Sequence, residues 1–453
     1  MFSGRRRLPM PPLSALFMAL SRPTPHVSAI PPNSFTPILP HELWREIFQL
    51  ATFIPDELEV SDMFRPGVFG GGRSGPQPIA WRKILPIRLA MQNVSRLWHS
   101  IGVEFLYQSF HHDSMYGNGR AKPALLASTL RSKPSYGALV KHLTLELGME
   151  ETINAEVTFI LRSCPNALIL SANVSIPSIH SLWWDACSLL TSLRYLQIDV
   201  YTLPISLKGP PHEFLPLGVH QGDPTPIGPI VLPNLRHFHL KNRYNRDAIL
   251  AIEEIFALLS LPCLTSLSLE LRGTSSTPLR CKDVFSRLTY LRMKGRSLLP
   301  SLFQVIEFPL LHIFQFDGER IPQGTLLFEC PNLPIHQIDI LIPGLPGFGF
   351  DRPQFVLSRF DEWRTSVHCI LTEARDPALM PKLKRVILEE RFHPFIGPRD
   401  LYPSYGDLVS CYSPLADAFE SRGVELSVRN RDIIFDVDVP IRDFILQMKS
   451  RFW

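Results

Sequence analysis

Cysteine is scarce in this chain: seven in 453 residues, at positions 164, 187, 263, 281, 330, 369 and 411. The count is odd and no Cys-x-x-Cys occurs, which argues against a disulfide framework or zinc ribbon and for a reducing compartment, cytoplasmic or nuclear. No uninterrupted apolar run reaches the ~20 residues of a membrane-spanning helix. An excess of one charge is missing as well. Lys and Arg number 46 against 42 Asp and Glu, a net of +4, so there is no basic stripe to grip nucleic acid. Glycine stands at only 25, and its one cluster, GVFGGGRSG at 67–75, lacks the Gly-Lys-Ser/Thr that ends a phosphate-cradling loop.

Catalytic constellations are absent too. His111, His112 and Asp113 are adjacent, so they point to different sides of any helix or strand and read as the solvated end of a helix. His180, Asp185 and Cys187 carry no nucleophile signature, and Cys187 reads as core. His237 and His239 share a strand face but lack the further ligands that a metal requires. The expectation is a protein that is not an enzyme and holds no cofactor and no metal.

What the chain does have is apolar surface and proline. Hydrophobic residues make up 45% and prolines number 43, nearly twice the usual ~5%. Nine prolines lie in the first forty residues, beside Arg5, Arg6, Arg7 and Arg22 and no acid, so 1–36 reads as a disordered basic arm. A second cluster marks 201–231 as a protruding loop.

From Val140 onward the chain repeats Leu-x-x-Leu-x-Leu followed by a polar residue. Starts fall at Val140, Ala167, Leu193, Leu235, Leu264, Leu288, Leu311, Leu333 and Leu383, separated by 27, 26, 42, 29, 24, 23, 22 and 50 residues. Apolar residues occupy the third and fifth places after each start (Leu143 and Leu145, Phe314 and Phe316), with His336 the exception. Between them lie Thr144, Ser171, Gln197, His239, Ser268, Arg292, Gln315, Gln337 and Ile387. Such alternation predicts strands buried on one face, stacked so that their polar faces form one surface. After each strand comes Glu146, Asn173, Asp199, Lys241, Glu270, Lys294, Asp317, Asp339 or Glu389, read as a solvated edge or an acidic rim for a basic segment. Pro165, Pro233, Pro262, Pro309, Pro331 and Pro381 each precede a start by two residues. Helices are expected between strands at 157–163, 248–260, 297–306 and 355–375. A last strand pair is expected at 424–428 and 432–437, with a closing helix near 440–452.

Before the repeat stand two amphipathic blocks. ILPHELWREIFQLAT, 38–52, places Leu43, Ile47 and Leu50 on one helical stripe; ILPIRLAMQNVSRLWHSIGVEFLYQSF, 84–110, repeats apolar residues through Leu89, Val94, Trp98, Ile101 and Phe105. Residues 55–83, broken by prolines and glycines, read as an inserted loop.

Leu39-Pro40-His41-Glu42-Leu43 with Ile47-Phe48, then Val94-Ser95-Arg96-Leu97-Trp98 and Phe105-Leu106-Tyr107, resembles the F-box. The insertion between the halves is longer than that family's usual connection. Cys-Pro-Asn at 164–166 and 330–332 and Leu-Pro-Asn at 232–234 look like the degenerate leucine-rich repeats of fungal F-box proteins. The resemblance implies an α/β chain in four parts: the arm at 1–36, a helical F-box at 37–112, a curved leucine-rich-repeat solenoid at 113–428 and a cap at 429–453. It further implies a substrate receptor that holds a Skp-type adaptor, and through it a cullin, by Leu39, Pro40, Leu43, Ile47, Phe48, Leu89, Val94 and Trp98. Gln197, His237, His239, Arg292, Gln315 and Gln337 are the expected contacts to a target protein, with neither nucleic acid nor membrane as a partner. The alternative is a leucine-rich-repeat scaffold unconnected with a ligase, its F-box-like helices capping the amino end of the solenoid.

Overall fold

The structure, a computed structural model, describes residues 39–52, 76–111, 121–147, 151–175, 186–201, 230–242, 256, 259–271, 282–294, 308–317, 332–342, 370–390, 405–430 and 437–452. The expected arm, residues 202–229 of the 201–231 loop, most of the 248–260 helix, the 297–306 helix and most of the 355–375 helix lie outside these. The chain divides into two units, Met1–Glu46 and Ile47–Trp453. In the first, the Pro40 carbonyl accepts from the Leu43 and Trp44 N–H groups at 3.1 and 3.2 Å, opening helix α1 (His41–Ala51).

The second unit continues with α2 (Pro76–Gln92) and α3 (Arg96–Tyr107). Helix α2 begins inside the expected inserted loop and runs through Pro86, so 76–83 is helical rather than loop. The single periodic block at 84–110 is broken because Ser95 caps α3, accepting from the Trp98 N–H at 3.1 Å. Phe48 is almost fully buried, edge-on to Trp98 at 4.9 Å and to Phe105 at 6.4 Å. Arg88, on α2, donates to the Thr52 carbonyl at 3.1 Å. Truncating Phe48 to alanine removes that aromatic junction, and a loss of about 3–5 kcal/mol is expected in chemical denaturation.

Next come β1 (Ser109–His111), α4 (Ala121–Ser132), a 3₁₀ turn at Pro134–Leu139, β2 (His142–Leu147), α5 (Glu151–Ser163), β3 (Ile169–Ser175) and β4 (Tyr195–Tyr201). They are followed by β5 (Ile230–Val231), β6 (His237–Asn242), β7 (Leu259–Ser260), β8 (Ser266–Leu271), β9 (Tyr290–Lys294), β10 (Ile313–Asp317), β11 (Gln337–Ile342) and β12 (Arg385–Glu390). Helix α6 (Tyr405–Glu420), β13 (Glu425–Asn430), β14 (Val437–Pro440) and α7 (Ile441–Phe452) complete the described chain. The fold is mixed α/β. Twelve strands form one sheet in the order β1-β2-β3-β4-β6-β8-β9-β10-β11-β12-β13-β14, every pair parallel except β13 with β14. Strands β5 and β7 pair separately, so the end of the helix expected at 248–260 is extended instead.

Parallel neighbours require every strand to re-enter from the same end, and the start of each repeat supplies the turn. The N–H of Ala167, Leu193, Leu235, Leu264, Leu288, Leu311 and Leu383 each donates to the carbonyl three residues earlier, at 3.0–3.3 Å. Pro165, Pro233, Pro262, Pro309 and Pro381 occupy the second place of these turns, where a preset φ lowers the cost of closing them. The residue before the start ties successive turns together. Asn166 donates to the Ala138 carbonyl at 3.0 Å, Asn234 to that of Thr191 at 2.7 Å, and Arg287 to that of Pro262 at 2.7 Å. In each case the acceptor lies two residues before the preceding start.

One expected register is wrong. Phe314 pairs with Ile338 and Phe316 with Ile340, so the repeat assigned to Leu333 begins at Ile335. The intervals around it become 24 and 48, and Pro331 falls out of step. His336 leaves the apolar column, Asp339 moves from the edge to the middle of the polar face, and Gln337 shifts toward the strand entrance. With that change, both apolar columns are buried throughout, from Leu143 and Leu145 to Val386 and Leu388. Beneath them Phe238, Phe256, Phe285 and Phe308 form a file of rings 5.7, 6.3 and 5.6 Å apart, linking successive repeats.

The parallel array is also longer at both ends than the nine repeated motifs. β1 pairs with β2 in the same register, and β13 carries Leu426 and Val428 opposite Val386 and Leu388. Gly423, at φ +69°, makes the entry to β13 possible. Its N–H bonds the Glu420 carbonyl, and that of Val424 bonds the Phe419 carbonyl, both at 2.9 Å; this is the left-handed close of a helix that glycine accommodates.

Candidate interaction surfaces

Helix α1 is amphipathic in an unusual sense: its apolar stripe faces out. Leu43, Ile47 and Leu50 follow one another by four and three residues, and all are exposed, Leu50 to 78%. Leu39 and Pro40 before them are exposed as well. In the second unit Ile87 and Leu89 on α2, Val94 between the helices and Leu97 on α3 are exposed, Val94 to 61%. Thirteen large hydrophobics are exposed among the described residues, and eight of these fall between 39 and 97, a concentration that scattered surface leucines do not produce. Phe48 turns inward and Trp98 is half-buried against it, so these two hold the helices rather than offer a free face. Ile87 and Leu97 were not singled out by sequence; the signal lay in their being apolar yet off the buried stripe.

The second surface is the polar face of the sheet. Gln197, His239, Arg292 and Gln315 lie in one column with His111, Thr144, Ser171, Ser268, Asp339, Ile387 and Ser427. His237 and Gln337 belong to the next column toward the strand entrance. Little of this face is solvated. His239, Ser268, Arg292, Gln315, Asp339, Ile387 and Ser427 are all buried, while Thr144, Ser171 and Gln197 are half-buried. The open part is therefore the β2–β4 end.

His111 corrects an expectation. It is not a solvated helix end but a buried residue of β1, bonded to the Thr144 hydroxyl at 2.9 Å and edge-on to His142 at 4.6 Å. Burial, with His142 and Arg88 nearby, holds its pKa well below the usual imidazole value. His237 is likewise pushed down to about 4 by burial and by Arg236, so its imidazole is neutral at pH 7. The Gln197 amide oxygen accepts from the Tyr195 hydroxyl at 3.0 Å, and that of Gln315 accepts from Tyr290.

Where its side chains are described, the acidic edge is less exposed than expected; those of Glu146, Asp317 and Glu389 lie outside the described residues. Asp199 is buried, Glu270 pairs with Lys241 at 3.1 Å, and Leu341 occupies the place expected for Asp339. Asp339 itself is wholly buried. Its Oδ1 accepts from Gln337 at 2.7 Å, and Oδ2 lies 3.9 Å from Arg429. Arg429 is already engaged with Asp438, its Nε and Nη2 bonding the two carboxylate oxygens at 2.7 and 3.0 Å. Burial therefore raises the Asp339 carboxyl to about 6, with Gln337 and Arg429 opposing the rise.

No protein-family model matches the sequence, and no curated protein matches it. Among the described residues no three His, Cys, Asp or Glu side chains come together as metal ligands, and no helix is long and apolar enough to cross a membrane.

Proposed function

We propose that this chain is the substrate-recognition subunit of an SCF-type, cullin-RING ubiquitin ligase. Its helical segment would act as an F-box that takes a Skp-type adaptor, and the parallel repeats as a leucine-rich-repeat solenoid that takes a target protein. The role is non-catalytic: it raises the concentration of target lysines near the ligase. The observation that carries this reading is the concentration of exposed apolar side chains on helices whose sequence resembles the F-box. A partner covering Ile47, Leu50, Ile87, Leu89, Val94 and Leu97 would remove that surface from water. Leu39, Pro40 and Leu43, in the first unit, carry the opening of the same motif.

The test uses side chains that the fold does not need. Ile47→Asp with Val94→Asp is expected to leave circular dichroism and melting unchanged, because both positions are exposed. Capture of a Skp-type adaptor should fall at least tenfold. Unchanged capture by the folded double variant would remove the receptor reading.

One observation favours the scaffold alternative. α3 leads directly into β1, and the Gln108 carbonyl accepts from the Lys141 and His142 N–H groups at 2.9 and 3.0 Å, which suits helices that cap the edge of the sheet. Under that reading the double variant loses no partner, so the same experiment separates the two.

A further inference from the structure

Three arginines among the described residues are buried: Arg88, Arg292 and Arg429. Arg88 donates to the Thr52 carbonyl and Arg429 grips Asp438. Arg292, only 6% exposed, has no hydrogen-bonding or ion-pairing partner among the described residues. A guanidinium that no described anion neutralises is a ready partner for a carboxylate, whose geometry it matches. We infer that Arg292 anchors a carboxylate-binding site on the polar face of the sheet, taking an aspartate or glutamate side chain of a target polypeptide. The inference rests on reading that face as the target surface.

The surroundings are suited to an acceptor ligand. Ser268 and Gln315 are the register partners of Arg292 on the flanking strands. The Gln315 oxygen is occupied by the Tyr290 hydroxyl, which leaves its amide N–H groups as donors. Of the neighbouring carboxylates, Glu270 pairs with Lys241 at 3.1 Å, and Asp339 accepts from Gln337 through Oδ1 at 2.7 Å. Burial raises the Tyr195 phenol, and Arg292 is the charge that acts against that rise although β6 and β8 lie between their strands. Ile169, Tyr195 and Tyr290, with Leu168 and Ile313, form an apolar cluster at the strand entrances. An apolar residue beside the acid would rest there. A single guanidinium matches a monoanion in bidentate fashion. A phosphate dianion would keep uncompensated charge beside that cluster, since the column offers no second cation among its described side chains. Ser268 is as buried as Arg292, so the site admits a side-chain tip and not a backbone.

The test probes the full-length protein with nonapeptide libraries whose central residue is Glu, Asp, Gln, Lys or phosphoserine. Wild type is expected to retain the Glu and Asp libraries at least tenfold over Gln and Lys. Arg292→Met should abolish that preference, and Arg292→Lys should keep part of it. Arg292→Met should also melt no lower than wild type, because no partner loses its bond. Absence of an acidic preference in wild type, preference for phosphoserine over Glu, or a clearly lowered melting point of Arg292→Met would each overturn the inference. Neither adaptor nor ligase enters this measurement. Adaptor capture by the same preparation reports separately on the receptor reading.

Discussion

Gly137→Ala is expected to be the most damaging glycine-to-alanine substitution among the described residues. Gly137 lies buried in the 3₁₀ turn that leads to β2, against the last residue of α5. A β-carbon there would sit 1.9 Å from the Ser163 carbonyl oxygen and 2.9 Å from its carbon. Both atoms belong to backbone, so no side-chain rotation relieves the clash. The turn must move away from α5 or the helix must lose its last residues. Either change disturbs Val140, whose N–H bonds the Gly137 carbonyl at 3.2 Å, and with it the entry to β2. Overpacking of this kind costs about 3 kcal/mol or more. A drop in melting temperature of roughly 5 °C or more is the expected readout. Melting within a degree of wild type would show that the turn has slack.

Asp339→Asn is expected to act in the opposite direction. The wild-type carboxyl titrates near 6 in the folded protein, above its ordinary value of 3.8, because burial disfavours the carboxylate. An acid whose folded pKa is raised binds its proton more tightly in the folded state. Stability therefore falls as pH rises from about 4 to 6, and the whole burden is carried above that window. Its size is on the order of 3 kcal/mol at pH 7. Asparagine keeps an oxygen for Gln337 and leaves Arg429 on Asp438, so the substitution removes the charge with little else. The variant should be more stable than wild type at pH 7.5, and the two should converge near pH 4. Denaturation midpoints across that range measure it. A constant difference at all pH values would mean that Asp339 does not titrate in this window.

Asp339 also shows where sequence reasoning stopped. Leu333-x-x-His336-x-Ile338 and Ile335-x-x-Ile338-x-Ile340 share the same alternation, and Pro331 stands two residues before the first. Only pairing with β10 and β12 decides between them, since a strand two residues out of step keeps its faces but puts His336 in the apolar column and carries Ile340 beyond it. The candidate site suffered from the same ignorance. His239, Arg292 and Gln315 were legible as residues of one column, but periodicity does not reveal whether a polar face is covered. Phe48 and Ile47 are neighbours in sequence and in apolar character, yet one is core and the other surface. β1 was missed because three residues are too short for alternation to register.

The sequence by itself determined the period of the repeat, the two apolar columns, the turns closed by proline and the amphipathic helices before them. These are local matters, set by backbone sterics and by the two-residue and 3.6-residue periods over a few turns of chain. Tertiary structure alone decided the register of β11, the addition of β1, the parallel pairing of β13 with β12, and the burial of Arg292 and Asp339. Each depends on segments far apart in the chain meeting in space. A side chain's exposure, and so its charge and its availability to a partner, is a property of that meeting.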